Sequence, residues 1–163
     1  MSENFIPLNA PTFFKNEKKY LEQCIDTSWV STAGSFVSKF ENKIAEYTQS
    51  KYVIACNSGT AALQISLKVA GITENDEVIV PTITFIAPVN AIRYNNAFPI
   101  FMDVDNFFNI DVIKLKKFLD NETYFKNGFT HNKKTNRIIK AILPVHVWGN
   151  AANLEPITDF LNE

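Results

Sequence analysis

The stretch Asn57-Ser58-Gly59-Thr60 carries the residue types from which a phosphate cradle is made. It follows the apolar, β-branched run Tyr52-Val53-Ile54-Ala55 and opens a helical pattern with Leu63, Leu67 and Ala70 on one face. A chain that turns sharply into a helix leaves the first backbone N–H groups of that helix without partners. Those donors and the positive end of the helix dipole suit an anion. Gly59 carries no Cβ to obstruct a close approach, and Thr60 adds a hydroxyl donor. Ser58 is equally suited to be an ordinary helix N-cap, so a phosphate cradle and a plain strand–helix joint are both open on this motif alone.

Other residues with chemical potential are scattered. Trp29-Val30-Ser31-Thr32-Ala33-Gly34-Ser35 is irregular and rich in hydroxyls; it reads as a site-lining loop or as a helix connection with Trp29 packed beneath it. His146 has no identifiable partner and reads as a structural or site-edge polar group rather than a catalytic base. Cys24 and Cys56 lie outside metal-ligand spacing, so no metal site and no disulfide frame are expected.

The elements that position these residues alternate. Helices are expected from Lys15 to Thr27, Phe36 to Thr48, past Thr60 to Val69, Thr82 to Asn95, Asp111 to Leu119 and Leu154 to Leu161. Strands are expected over 52–55, 77–80, 98–101 and 138–143. Gly71 stands at a helix C-cap, Pro88 in a first helical turn, and Asp111 at an N-cap. The polar stretch from Asn121 to Asn136 reads as a loop. This alternation predicts an α/β fold, a mainly parallel sheet with helices on both faces. One domain is expected over 1–163, with an arm and helices through residue 50 and βαβ units from 51 onward. Ligands of such sheets bind beyond the carboxyl ends of the strands. The candidate positions are thus Ser58-Gly59-Thr60, Thr82 to Phe85, Asp103 to Asp105, and His146 to Asn150.

Composition limits the function classes. Of the 163 residues, 46% are apolar and 20% charged, which describes a folded chain and not a disordered one. A formal net charge of -1 implies no polyanion partner, and the basic cluster from His131 to Arg137 reads as a solvated loop. No basic leader with an apolar core opens the chain and no apolar run reaches membrane-spanning length, so a cytoplasmic protein is expected.

In order, the motifs are Asn-Ser-Gly-Thr-Ala-Ala-Leu, Asp-Glu-Val-Ile-Val-Pro-Thr-Ile-Thr-Phe, Phe-Met-Asp-Val-Asp and Leu-Pro-Val-His-Val-Trp-Gly-Asn. They are preceded by Ile6-Pro7-Leu8 and by Trp29 to Gly34, with Phe40-Glu41 behind. This array resembles the DegT family of pyridoxal-phosphate (PLP) sugar aminotransferases, over nearly the whole chain. The resemblance implies the large domain of a fold-type-I enzyme that moves an amino group, usually from glutamate, to a keto group on a nucleotide-linked sugar, in amino-sugar biosynthesis for surface polysaccharide. It further implies that Ser58, Gly59 and Thr60 bind the cofactor phosphate and that Phe85 stacks on the pyridine ring. Trp29, Ser31 and Thr32 fall where the family lines its sugar site, and the complete protein is expected to be a homodimer.

The chain also departs from the family. No lysine here matches the one that forms the Schiff base, and no aspartate matches the one that holds the pyridine nitrogen protonated; in the family both follow the helix that begins near Leu154. The chain therefore reads as the amino-terminal part of an aminotransferase, with no catalytic residue of its own and doubtful cofactor binding. The alternative is a non-catalytic remnant or a phosphate-binding α/β module. The family strand order further implies that the 52–55 strand lacks its usual neighbour; it either docks on 138–143, which burial of the exposed apolar faces favours, or keeps its place in the complete fold with a gap beside it.

Overall fold

The computed structural model describes residues 5–161. The chain divides into two compact units, Met1–Ala55 and Cys56–Glu163.

In the first unit, α1 (Glu17–Asp26) and α2 (Ser35–Thr48) are joined by the Trp29 segment. Tyr20 and Phe36 bring their rings to 5.0 Å. Trp29 donates its N–H to the Cys24 carbonyl at 2.9 Å, which closes the end of α1. Its side chain is 55% exposed, so the ring is not packed beneath the connection. The expected strand over 52–55 is not formed: these residues join no ladder, and Tyr52 and Ile54 face solvent. Docking on 138–143 is likewise absent among the described strands. Apolarity by itself does not make a strand, which exists only where a neighbour takes its N–H and C=O groups. Ala55 N–H finds the Glu41 carboxylate instead, at 2.9 Å.

The second unit contains α3 (Gly59–Val69), β1 (Glu77–Pro81), α4 (Ile86–Tyr94), β2 (Phe98–Met102), α5 (Val112–Glu122), β3 (Thr123–Lys126), β4 (Phe129–Asn132), β5 (Ile139–Ile142) and α6 (Glu155–Leu161). Three strands form a parallel sheet in the order β2-β1-β5. The central strand β1 is buried along its whole length, as a parallel strand covered on both faces must be. Its side chains alternate. Val78 and Val80 pack with Leu67 of α3 and with Ala91 and Ile92 of α4. Ile79 packs on the other face with Leu115 of α5 and Ile157 of α6. The α/β fold with helices on both faces is therefore as the sequence predicts.

Local chemistry sets the element ends. Asp111 caps α5 by accepting from Ile113 and Lys114 N–H, both at 3.0 Å. Gly71, at φ +85°, ends α3, and Ile72 N–H reaches back to the Leu67 carbonyl at 3.0 Å. The stretch expected to be a loop after Asn121 is instead the antiparallel hairpin β3–β4, turned by Asn127 and Gly128 at φ +54° and +82°. Both central residues at positive φ match the right-handed twist of the strands, which is why Asn-Gly closes two-residue hairpins. No helix among the described residues is long and apolar enough to cross a membrane.

Candidate functional site

The sheet's connections leave its carboxyl edge in opposite directions. From β1 the chain passes through residues 82–85 to α4, on the Val78–Val80 face. From β5 it passes through residues 143–154 to α6, on the Ile79 face. Adjacent parallel strands whose connections diverge this way open a crevice between them, the place where open α/β sheets bind ligands. A cleft of about 350 Å³ lies there, lined by Ile83, Thr84, Phe85, Val145, His146, Val147 and Trp148.

Each wall is fixed by its own local bonds. Thr82 donates both its N–H and its hydroxyl to the Met102 carbonyl, at 2.8 and 2.7 Å, which anchors the first loop at the end of β1. Phe85 then occupies the N-cap position of α4 and leaves 78% of its surface exposed, so a ring face is available. Thr84 Oγ1 is buried and has no hydrogen-bond partner. On the opposite wall, His146 Nδ1 accepts from the Ala152 N–H at 2.9 Å. That bond occupies the Nδ1 lone pair, so in the neutral ring Nε2 carries the hydrogen and is a donor. His146 thus orients the loop, in keeping with a structural or site-edge role.

The Ser-Gly-Thr joint sits at the N-terminus of α3, a helix packed against α4. Ser58 Oγ accepts from Ala61 N–H at 3.2 Å, and the Ser58 carbonyl accepts from Ala62 N–H at 3.0 Å. Gly59 and Thr60 come too early in the helix for an intrahelical acceptor, so their N–H groups are the ones left for an anion. A Cβ built on Gly59 would meet nothing within 4 Å. The chain's own atoms do not demand glycine here, and the open space in front of it suits a bound group. Ser58→Ala is expected to cost about 1 kcal/mol through loss of this cap, read as a lower urea midpoint at unchanged slope.

The remaining candidates separate from this arrangement. Asp103 is paired with Lys114 at 2.7 Å, which holds the Lys114 ammonium above its ordinary pKa. Asp105 accepts from Phe107 and Asn109 N–H at 2.8 and 3.0 Å, so its carboxylate shapes a turn. Trp29 and Ser31 belong to the first unit, where they line a separate cleft of about 470 Å³ with Gly34 and Phe36; Thr32 does not line it. Among the described residues no group of His, Cys, Asp and Glu could hold a metal ion. Thr84 and Trp148 fall within the candidate stretches Thr82 to Phe85 and His146 to Asn150, but the sequence gives neither an individual role.

Residues 11–163 match the model of the DegT/DnrJ/EryC1/StrS aminotransferase family. The chain belongs to that family. A curated relative, the GDP-perosamine synthase of Escherichia coli O157:H7, is 39% identical over 155 residues, covering 95% of this chain and 38% of its own length. The chain thus spans little more than a third of the curated relatives it matches. Among solved structures, a DegT DnrJ EryC1 StrS aminotransferase from Brucella abortus aligns with a TM-score of 0.75 and 31% identity, over 89% of this chain and 36% of its own. The putative sugar aminotransferase Spr1654 from Streptococcus pneumoniae, solved in its PLP form, aligns with a TM-score of 0.76 and 25% identity, over 94% of this chain and 35% of its own. Family membership gives the chain a cofactor to be tested against, and two features of the second unit fit PLP: the exposed Phe85 side chain in the cleft and the open N–H donors at the start of α3, whose residues are not among those lining the cleft.

Proposed function

We propose that this chain supplies the cofactor-gripping, amino-terminal part of a PLP-dependent aminotransferase acting on a nucleotide-linked keto-sugar, in amino-sugar biosynthesis for surface polysaccharide. The observation that carries the reading is the cleft between the diverging loops after β1 and β5, with the Phe85 ring open on one wall. Bound PLP supplies the electron sink and carries the amino group. The chain's own groups hold it: Gly59 and Thr60 N–H donate to the phosphate beside Ser58, and Phe85 presents a flat apolar face to the ring. The whole of 1–163 is read as one part of the large domain. Trp29, Ser31 and Thr32 approach the sugar, glutamate is the amino donor, and the complete protein works as a cytoplasmic homodimer.

The lysine and aspartate that the chemistry needs are matched by no residue among these 163. The second reading is a non-catalytic remnant or a phosphate-binding α/β module. Both readings keep the cradle; they separate on turnover.

Phe85→Ala tests the ring contact. Stacking on an aromatic side chain is worth about 1–3 kcal/mol, so the affinity for pyridoxamine 5′-phosphate, measured by equilibrium dialysis, is expected to fall about fivefold or more. The far-UV circular dichroism stays unchanged, because the side chain is exposed. An unchanged affinity removes Phe85 from the site.

A further inference from the structure

The loop after β5 holds one indole in a costly conformation and leaves it in solvent. Trp148 has φ +51° and ψ +28°, a left-handed backbone that bulky residues rarely adopt. Its ring meets Phe108 edge-on, with centroids 5.3 Å apart and planes at 78°. Phe108 is itself left-handed, at φ +65°. Three bonds staple the two loops or brace the second: Asn150 Nδ2 donates to the Phe107 carbonyl at 3.0 Å, Asn109 Nδ2 to the Ala151 carbonyl at 3.2 Å, and Ala152 N–H to His146 Nδ1 at 2.9 Å. Asn109 is buried, so its bond is shielded from water. Despite this framework Trp148 remains 83% exposed. A clamp built only for stability would bury the indole; this one presents it.

Trp148 lines the same cleft as Phe85, on the opposite loop. We propose that Trp148 is a second aromatic wall of the cleft, a ligand-contacting residue that positions the flat ring faced by Phe85, with Phe108 as the side chain that holds the indole in place. This rests on the cofactor reading above and extends it to a residue outside the cradle and the Phe85 wall. An electron-rich indole suits an electron-poor heteroaromatic ring. Thr84 and His146 are the polar residues among those lining the same cleft.

The test uses the full 163-residue chain labelled with 5-fluorotryptophan, which carries two tryptophans and so gives two fluorine resonances. Trp29→Phe assigns them. Pyridoxamine 5′-phosphate is the probe because it has no aldehyde to label surface lysines. The expected result is a saturable shift of the Trp148 resonance with the midpoint found by equilibrium dialysis, and no such shift with inorganic phosphate. Phe108→Ala should abolish most of that shift and weaken binding several-fold, and Phe108→Tyr, which keeps the edge contact, should restore both. Binding that leaves the Trp148 resonance unmoved overturns the role of Trp148 while the Gly59, Thr60 and Phe85 reading stands. Absence of any binding at millimolar probe overturns both.

Discussion

Supplied with PLP, glutamate and a nucleotide-linked keto-sugar, the 163-residue polypeptide is expected to give no amino transfer above the rate in free solution. Transamination needs a lysine to hold the cofactor as a Schiff base and to move the proton between carbons. Among the described residues no lysine lines the Phe85–Trp148 cleft. Lys140 lies over the Phe129 ring at 4.5 Å, Lys114 is paired with Asp103, and Lys51 lies over Tyr52 at 5.1 Å. Proton transfer by a positioned group contributes on the order of 10²–10⁴ in rate, and loss of the covalent route adds to that deficit. Formation of 2-oxoglutarate, followed by a coupled dehydrogenase, is the measurement. Turnover by this polypeptide would show that one of its lysines reaches the cofactor.

Glu77→Leu is expected to destabilise the second unit by about 3 kcal/mol, since hydrogen bonds to a charged group contribute roughly 1.5–3 kcal/mol each and the partners would be left unpaired. Glu77 is 3% exposed at the amino end of β1. Its Oε2 accepts from Asn132 Nδ2 at 2.9 Å and its Oε1 from the Thr135 hydroxyl at 2.8 Å. Arg137 stands 4.0 Å away and also covers the Phe98 ring. This carboxylate thus ties the end of the β3–β4 hairpin to the sheet. Glu77→Gln keeps one acceptor for Asn132 and offers an NH₂ that the Thr135 oxygen can accept, so about 1 kcal/mol is expected there. Urea titration distinguishes the two variants. Equal, small losses would mean that the carboxylate contributes little. Because Glu77 lies at the opposite end of β1 from the cleft, the folded fraction of either variant should bind pyridoxamine 5′-phosphate as the parent chain does.

The parts of the fold legible in the sequence are those governed by neighbours in the chain. Ser58, Gly71 and Asp111 mark helix ends through caps that reach only a few residues, and all three are where the sequence places them. β1, β2 and β5 announce themselves as apolar runs between helical patterns, and their alternation with helices signals a parallel sheet. The β3–β4 hairpin was legible too, through Asn127-Gly128 between two short runs containing Tyr124, Phe125 and Phe129, but the surrounding polar residues read as a loop. Residues 52–55 show the reverse error, since their apolarity signals a strand while the ladder that would make it one is not formed.

The candidate site divides in the same way. Gly59 and Thr60 belong to a local joint and could be picked out by type and position, whereas the role of Phe85 comes only from the family resemblance. Trp148 lies in the candidate stretch His146 to Asn150, but its posture was not legible, because it meets Phe108, about forty residues earlier, and nothing beside it in the sequence signals a positive φ. Thr84 is remarkable only for lacking a partner, a property that no sequence pattern carries.

The grip on the phosphate and ring is tested most directly by ¹⁵N–¹H correlation spectra of the chain titrated with pyridoxamine 5′-phosphate. Gly59 and Thr60 amide resonances are expected to move downfield and saturate together with that of Phe85, because these N–H groups take the phosphate while the Phe85 ring meets the pyridine. Inorganic phosphate should move the first two and leave Phe85 in place. Saturable binding with the Gly59 and Thr60 resonances unmoved would contradict the assignment of α3's N-terminus as the phosphate cradle.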